Sequence, residues 1–294
     1  MSDFSSLIIG PGAIGSLVCA EIQPFSRVSV FAHRQNLTLA THLDLPGKTL
    51  ALDWTVTPAP SVDVIWVCCK AMHAEQSTQQ ALARYSNATV VLLHNGMGPQ
   101  QALSEAFGDQ IIWGSTTCGA LPISPQHYVQ TSFGHTLMDQ RAAHERPDYF
   151  NALIARSDQS NILKPAAIES IEAVLWQKIL VNACINPLTA YHSVKNGQLS
   201  TNDHQREICA ILNEITKLIQ AKHLTLSEDP LTMVNQVITN SAENWSSMAR
   251  DVQEGRKTEI DFINGFLIRE GARLGIKTPV LERWYKRIAQ RQVS

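Results

Sequence analysis

Six residues near the start of the chain, Gly10-Pro11-Gly12-Ala13-Ile14-Gly15, constrain its fold more than any other segment. They follow the apolar run Leu7-Ile8-Ile9, which reads as a buried strand. They precede Ser16 to Ile22, where apolar residues recur at helical spacing. Glycines spaced G-x-G-x-x-G between a strand and a helix predict a specific turn. Gly10 makes the bend, Gly12 lets a pyrophosphate approach the backbone, and Gly15 lets the helix lie close on the strand. The N–H groups that open the helix, at the positive end of its dipole, then face the phosphates. The pattern points to dinucleotide binding, although a tight strand–helix turn without a ligand would use the same residues.

The next strand bears on which dinucleotide. Arg27-Val28-Ser29-Val30-Phe31-Ala32 is rich in β-formers and is followed by His33-Arg34-Gln35. An acid about 20 residues beyond the glycines would hold the ribose hydroxyls of NAD. None stands here, and the guanidinium fork of Arg34 suits a 2′-phosphate. NADP is therefore the expected cofactor; the alternative is that Arg34 is a solvated loop cation.

Further β-rich runs occur at Val62 to Cys69, Ala88 to Leu93 and Gln110 to Trp113. Helical patterns at Ala74 to Arg84 and Pro99 to Phe107 lie between them. Strands alternating with helices predict a parallel sheet covered on both faces. After about Ala166 the β-branched runs stop. Long helical patterns take over at Ile168 to Ile185, Gln205 to Lys222, Pro230 to Ala249 and Glu259 to Leu274. Pro165 disfavours helix at the residue before it and marks the boundary. The expected plan is an α/β Rossmann-type domain with a parallel sheet over residues 1–165, binding the cofactor. An all-α domain over residues 166–294 follows, binding substrate and carrying the catalytic groups.

Composition excludes other classes. The 294 residues carry 24 Lys and Arg against 26 Asp and Glu, a net charge of −2 with no basic run. Nothing electrostatic favours nucleic acid or an acidic membrane surface. The opening Met1-Ser2-Asp3-Phe4 has an acid where a secretory peptide needs a basic region. The uncharged stretch from Phe4 to Ala20 is too short and too glycine-rich for a membrane span. Cys19, Cys68, Cys69, Cys118, Cys184 and Cys209 form no CxxC pair, which suits reduced thiols in a cytoplasmic protein. The histidines show no metal-ligand spacing, so no metal is expected.

Several polar residues stand where chemistry is plausible. Lys70 follows the third strand and Asn95 the fourth, at the carboxyl ends where α/β sheets bind ligands. Alone, Lys70 reads equally as a surface cation and Asn95-Gly96 as a turn. In the helical half, Lys178, Asn182 and Asn186 are four apart and share one face of a helix otherwise rich in Ile, Leu and Val. Buried there, they need hydrogen-bonding partners, which a substrate carboxylate and carbonyl would supply; a partly exposed stripe is the alternative. Pro187 is expected to end or kink that helix. Glu259 and Asp261 read as acids in the first turn of the last long helical pattern.

Taken together, these segments resemble the ketopantoate reductase (2-dehydropantoate 2-reductase) family over nearly the whole chain. The motifs are GPGAIG at Gly10 to Gly15, CKA around Lys70, HNGMG at His94 to Gly98 and LWQKILVNACINPLTA at Leu175 to Ala190. NGQL at Asn196 to Leu199, ENWSSM at Glu243 to Met248 and TEIDFINGF at Thr258 to Phe266 complete them. The resemblance implies NADPH-dependent reduction of 2-dehydropantoate to pantoate, a step of pantothenate and coenzyme A biosynthesis. Lys178 would protonate the carbonyl oxygen, and Glu259 would stand near the substrate hydroxyl and cofactor. Asn182, Asn186, Asn196, Asn244 and Ser247 would hold substrate, and Asn95 would touch both substrate and cofactor. Gly10, Pro11, Gly12, Ala13, Ile14, Gly15, Arg34 and Lys70 would hold the cofactor, with a backbone contact from Ala120. Family members occur as monomers and homodimers. A reductase of another 2-oxo acid, and a non-catalytic NADPH-binding sensor, are the competing readings.

Overall fold

The computed structural model describes residues 4–31, 39–57 and 59–291. The chain divides into two compact units. Unit 1 comprises Met1–His94 and Pro99–Ile171; unit 2 comprises Asn95–Gly98 and Glu172–Ser294.

In unit 1 the order is β1 (Phe4–Ile9), α1 (Ala13–Ile22), β2 (Ser26–Phe31), β3 (His42–Leu45), β4 (Lys48–Ala51), β5 (Trp54–Thr55), β6 (Val64–Val67), α2 (Ala71–Arg84), β7 (Thr89–Leu92) and α3 (Pro99–Phe107). Then follow β8 (Ile111–Thr116), β9 (Gly119–Ser124), β10 (His127–Ser132), β11 (Thr136–Asp139), α4 (Ala142–Glu145), α5 (Pro147–Ser160) and β12 (Pro165–Ile168). Eight strands form one sheet in the order β5-β2-β1-β6-β7-β8-β11-β12. The first six are parallel, and β11 turns antiparallel to β8. The chain winds outward in both directions from the β1–β6 pair, which is therefore the topological switch point. Ile9 pairs with both Phe31 and Val67, and Val67 with Leu92, so the segments after β1, β6 and β7 leave from one edge.

Strand alternation builds the core. Ile8, Val64, Trp66, Val91 and Ile112 face the side covered by α1 and α5. Leu7, Ile9, Ile65, Val67, Val90 and Leu92 face the side covered by α2 and α3. The apolar runs of β6 and β7 are buried throughout, as strands covered on both faces must be. One polar knot lies inside: Tyr149 Oη is 2.9 Å from both Trp66 Nε1 and Ser6 Oγ, and Ser6 Oγ is 2.7 Å from Ser26 Oγ. A second sheet, β4-β3-β10-β9, packs against α1. Neither it nor the β11–β12 edge was legible in the sequence, because these strands are short or half-exposed and carry no sustained β-branched run.

Unit 2 holds α6 (Ile171–His192), a 3₁₀ turn at Asn196–Ser200, α7 (Asn202–Ala221), α8 (Pro230–Asn240), α9 (Ser247–Gln253), a 3₁₀ turn at Ile260–Phe262, α10 (Asn264–Leu274) and α11 (Pro279–Arg291). The fold class is thus the expected one, a Rossmann-type α/β unit and an all-helical unit. Three helix boundaries differ from the sequence expectation. First, α6 does not end at Pro187. The helix runs through it to His192, and beyond the proline Thr189 Oγ1 donates to Ile185 O at 2.8 Å and to Asn186 O at 3.1 Å.

Second, the single helix expected over Pro230 to Ala249 is two. Ala242 O and Asn244 O accept from the N–H groups of Gly197 and Asn196, which removes them from any helical ladder. Third, Glu259 is not in the first turn of a long helix. It precedes a 3₁₀ turn, and Phe262 O accepts from Met97 N at 2.8 Å instead of continuing that turn.

The amphipathic helix α7 buries Ile208, Ile211, Leu212, Ile215, Leu218 and Ile219 on one face. The same helix carries Glu214, only 5 % exposed. Its carboxylate accepts from Val280 N at 2.8 Å and Leu281 N at 2.9 Å, capping the start of α11 from outside. Replacing Glu214 with Ala leaves these two donors without that acceptor. The expected loss is about 1–3 kcal/mol in urea unfolding; an unchanged midpoint would show that the cap contributes nothing.

Candidate active site

Unit 1 presents the glycine turn at the switch point. Gly10 has φ +91, and a Cβ there would lie 2.4 Å from Cys69 N and 2.8 Å from Cys68 C. The turn after β1 therefore rests on the backbone after β6, and no side chain fits between them. A Cβ on Gly15 would lie 2.4 Å from Gly10 O, so α1 can approach β1 only through a glycine. Gly12 differs: a Cβ there would meet nothing within 4 Å. Its side of the turn is open.

Gly12 is also the N-cap of α1, with its carbonyl accepting from Ser16 N at 2.8 Å and Ser16 Oγ at 2.9 Å. No acid lies in the first turn. The leading N–H groups of a helix have no acceptor within it, so Ala13, Ile14 and Gly15 present donors beside an open approach. That combination fits the pyrophosphate of a dinucleotide.

Lys70 is the N-cap of α2 and leaves the same sheet edge as Gly10. Ala120, on β9, belongs to the buried cluster against which Ala13 and Ile14 pack. Both therefore share unit 1 with the glycine turn. Arg34 lies outside the described residues.

Unit 2 assembles the second group. Lys178, Asn182 and Asn186 lie on α6, a helix buried on nearly all sides from Ala183 to Ala190. Lys178 and Asn182 are half-buried, and Asn186 is 6 % exposed. Near the end of α6, Thr189 Oγ1 is 2.7 Å from Ser246 Oγ, which also caps α9 by accepting from Ala249 N at 3.0 Å. Ser246 is buried, whereas the expected substrate contacts Ser247 and Asn244 are exposed beside it. Ser246 and Thr189 were missed in the sequence; the only available signal was a serine at N-cap spacing.

Asn196 is bound from two sides. Its Nδ2 donates to Ser241 Oγ at 2.9 Å and its N–H to Asn244 O at 3.0 Å. Its Oδ1 is buried and has no hydrogen-bond partner among the described residues. An orphan buried acceptor is costly and is ordinarily matched by water or ligand. The segments that carry Asn95 and Glu259 meet through backbone, at Gly96, Met97 and Phe262. The Asn95–Gly98 segment rests on the turn that Glu259 begins: Met97 N bonds Phe262 O, and a Cβ on Gly96, at φ +73, would lie 2.6 Å from that carbonyl. Glu259 itself is 7 % exposed, and its carbonyl accepts from Phe262 N and Ile263 N.

The open space at Gly12 yields a test that separates folding from binding. Gly12→Ala should leave the unfolding midpoint nearly unchanged, since the added methyl meets no atom. It should weaken dinucleotide binding by about tenfold or more, a loss of about 1.4 kcal/mol, by obstructing the approach to α1. Unchanged affinity in a fluorescence titration would mean that no phosphate sits there.

The chain is similar to known proteins over both of its halves. Residues 6–142 match the family model described as ketopantoate reductase PanE/ApbA, and residues 170–292 match its C-terminal counterpart. A 2-dehydropantoate 2-reductase of Vibrio cholerae is 34% identical over 292 residues, covering 96% of each chain. The solved structure of a probable 2-dehydropantoate 2-reductase from Bacillus subtilis is 28% identical with a TM-score of 0.80, covering 98% of this chain and 99% of that one. A ketopantoate reductase structure from Ralstonia eutropha JMP134 shares the fold at 18% identity, with a TM-score of 0.87 and 98% of each chain covered. With both halves matched in order and a relative of this identity spanning its length, the chain belongs to the ketopantoate reductase PanE/ApbA family.

Proposed function

We propose that this protein reduces 2-dehydropantoate to pantoate with NADPH, supplying pantothenate and coenzyme A biosynthesis. The observation that carries the reading is the polar stripe of α6. Lys178, Asn182 and Asn186 recur every four residues on a mostly apolar helix that is buried all round from Ala183 to Ala190. Such groups are retained in an apolar helix at a cost unless they meet polar partners. A 2-oxo acid offers two in one molecule, a carbonyl and a carboxylate. The family match at both halves and the relatives' printed activity support the same reading.

In this reading Gly10 to Gly15, Lys70, Ala120, Asn95 and Arg34 hold the dinucleotide, with Arg34 on the 2′-phosphate. The bound nicotinamide supplies hydride to the ketone carbon. Negative charge then develops on the substrate oxygen. The ammonium of Lys178 stabilises that charge and delivers a proton to the oxygen. Glu259 holds the substrate hydroxyl and steadies the cofactor side of the site. Asn182 and Asn186 orient the 2-oxo acid along α6. Ser247 and Asn244 receive its carboxylate at the start of α9. Asn196 Oδ1 accepts from a substrate hydroxyl, which would meet its missing hydrogen bond.

The direct test is oxidation of NADPH by the purified protein with 2-dehydropantoate, beside NADH and other 2-oxo acids. The expected result is NADPH-dependent turnover that prefers 2-dehydropantoate. Turnover of a different 2-oxo acid would keep the chemistry and move the substrate; NADPH binding without any turnover would make the chain a sensor. Lys178→Ala should lower kcat by about 10²–10⁴-fold with NADPH affinity retained. A near-normal kcat would remove Lys178 as the proton donor. Arg34→Ala should raise KM for NADPH and leave that for NADH unchanged, which measures the 2′-phosphate contact separately.

A further inference from the structure

The motif Thr258 to Phe266 contains an acid to which the reductase reading gives no task. Asp261 stands two residues after Glu259, inside the 3₁₀ turn Ile260–Phe262. Its carboxylate accepts from Tyr285 Oη of α11 at 2.6 Å. Its backbone carbonyl accepts from Arg269 Nη2 of α10 at 3.1 Å. One residue of a three-residue turn is therefore gripped by both of the helices that follow it.

That grip depends on Gly265. A Cβ there would lie 3.2 Å from Arg269 Nη1, 3.4 Å from Tyr285 Cε2 and 3.6 Å from Ile260 O. The guanidinium, the phenol ring and the turn converge on a position of α10 that has no side chain. The bond to Asp261, with burial and the charge of the carboxylate, holds the Tyr285 phenol above its ordinary range, and Arg269 pulls it back. The hydroxyl is protonated at neutral pH and donates to the carboxylate.

A short 3₁₀ turn holds itself weakly, because its internal hydrogen bonds have poor geometry. Here Glu259 O accepts from Phe262 N at 3.0 Å and from Ile263 N at 3.1 Å. Phe262 O is used outside the turn, accepting from Met97 N at 2.8 Å. The turn thus joins two parts of the candidate site. Glu259 begins it, and the segment carrying Asn95 rests on its last carbonyl. The carbonyls of Asp261 and Phe262 belong to consecutive residues. A displacement at Asp261 is therefore felt one peptide away, at the bond to Met97.

We propose that Asp261, Tyr285 and Arg269 are positioning residues that fix this turn, so that Glu259 and the Asn95–Gly98 segment keep their places against the substrate. They act through the backbone, without touching substrate or cofactor. The catalytic consequence rests on the reductase reading; the fixing of the turn does not.

The test combines amide hydrogen exchange with steady-state kinetics on the full chain. Tyr285→Phe removes the hydroxyl and keeps the ring beside Gly265. It should speed exchange of the Met97 amide by about tenfold or more. It should lower kcat with 2-dehydropantoate by about tenfold or more, with a smaller change in NADPH affinity. Asp261→Ala should do the same, and the double variant should be no worse than either single one, because hydroxyl and carboxylate act as one pair. Asp261→Asn, whose side-chain oxygen still accepts from the hydroxyl, should restore most of the activity that Asp261→Ala loses. If Tyr285→Phe fails to fold, Arg269→Gln, at an exposed side chain, should shift exchange and kcat in the same direction. A pair that served stability alone would lower the urea midpoint and leave kcat of the folded protein intact. Unchanged kcat, unchanged exchange at Met97, or additive losses in the double variant would each overturn the proposal. If the unaltered protein turns over no 2-oxo acid, the reductase reading falls by itself. Exchange at Met97 then decides alone whether these three residues fix the turn.

Discussion

The backbone contact between the turn after β1 and the turn after β6 is the constraint on which unit 1 depends. At Gly10 the space for a side chain is occupied by the main chain of Cys68 and Cys69. Bringing these two turns together places the two halves of the sheet at their switch point, and Gly15 brings α1 down beside them. The same closeness leaves the first N–H groups of α1 next to open space at Gly12. A packing requirement and an anion site thus come from one set of glycines, because only residues without Cβ satisfy both at once.

In unit 2 the governing constraint is the satisfaction of polar groups around a buried helix. From Ala183 to Ala190 helix α6 is covered on every side, so Asn186 and Thr189 cannot turn to water. Thr189 settles its hydroxyl on carbonyls one turn back and on Ser246. Ser246 in turn starts α9, and the carbonyls of Ala242 and Asn244 bind the turn that holds Asn196. The chain breaks that shape the candidate site are therefore made by hydrogen bonds between distant segments. Local propensity plays the smaller part there.

This difference explains what could be read beforehand. The strands β1, β2, β6, β7 and β8 are each announced by a short β-rich or apolar run, and the helices α1 to α3 by helical patterning. So is the stripe Lys178, Asn182 and Asn186, since residues four apart on a helix share a face whatever surrounds them. The second sheet was not announced, because β3, β4, β9 and β10 are half-exposed and owe their pairing to one another and to α1. The buried serine was not told from its exposed neighbour either. Ser246 and Ser247 are adjacent and chemically identical, and only the position of Thr189 separates their roles.

By itself the sequence determined the class of fold, the glycine turn and its helix, and the family to which the chain belongs. Each of these rests on short-range spacing, which is a property of neighbouring residues. Tertiary structure alone decided that α6 continues past Pro187, that Glu259 precedes a 3₁₀ turn, and that Asn95 to Gly98 leave the sheet unit to rest on that turn. It also decided that Gln130 and Asn196 bury an acceptor that no donor among the described residues meets. These outcomes depend on which carbonyl meets which N–H across tens of residues, and a linear pattern carries no record of that pairing.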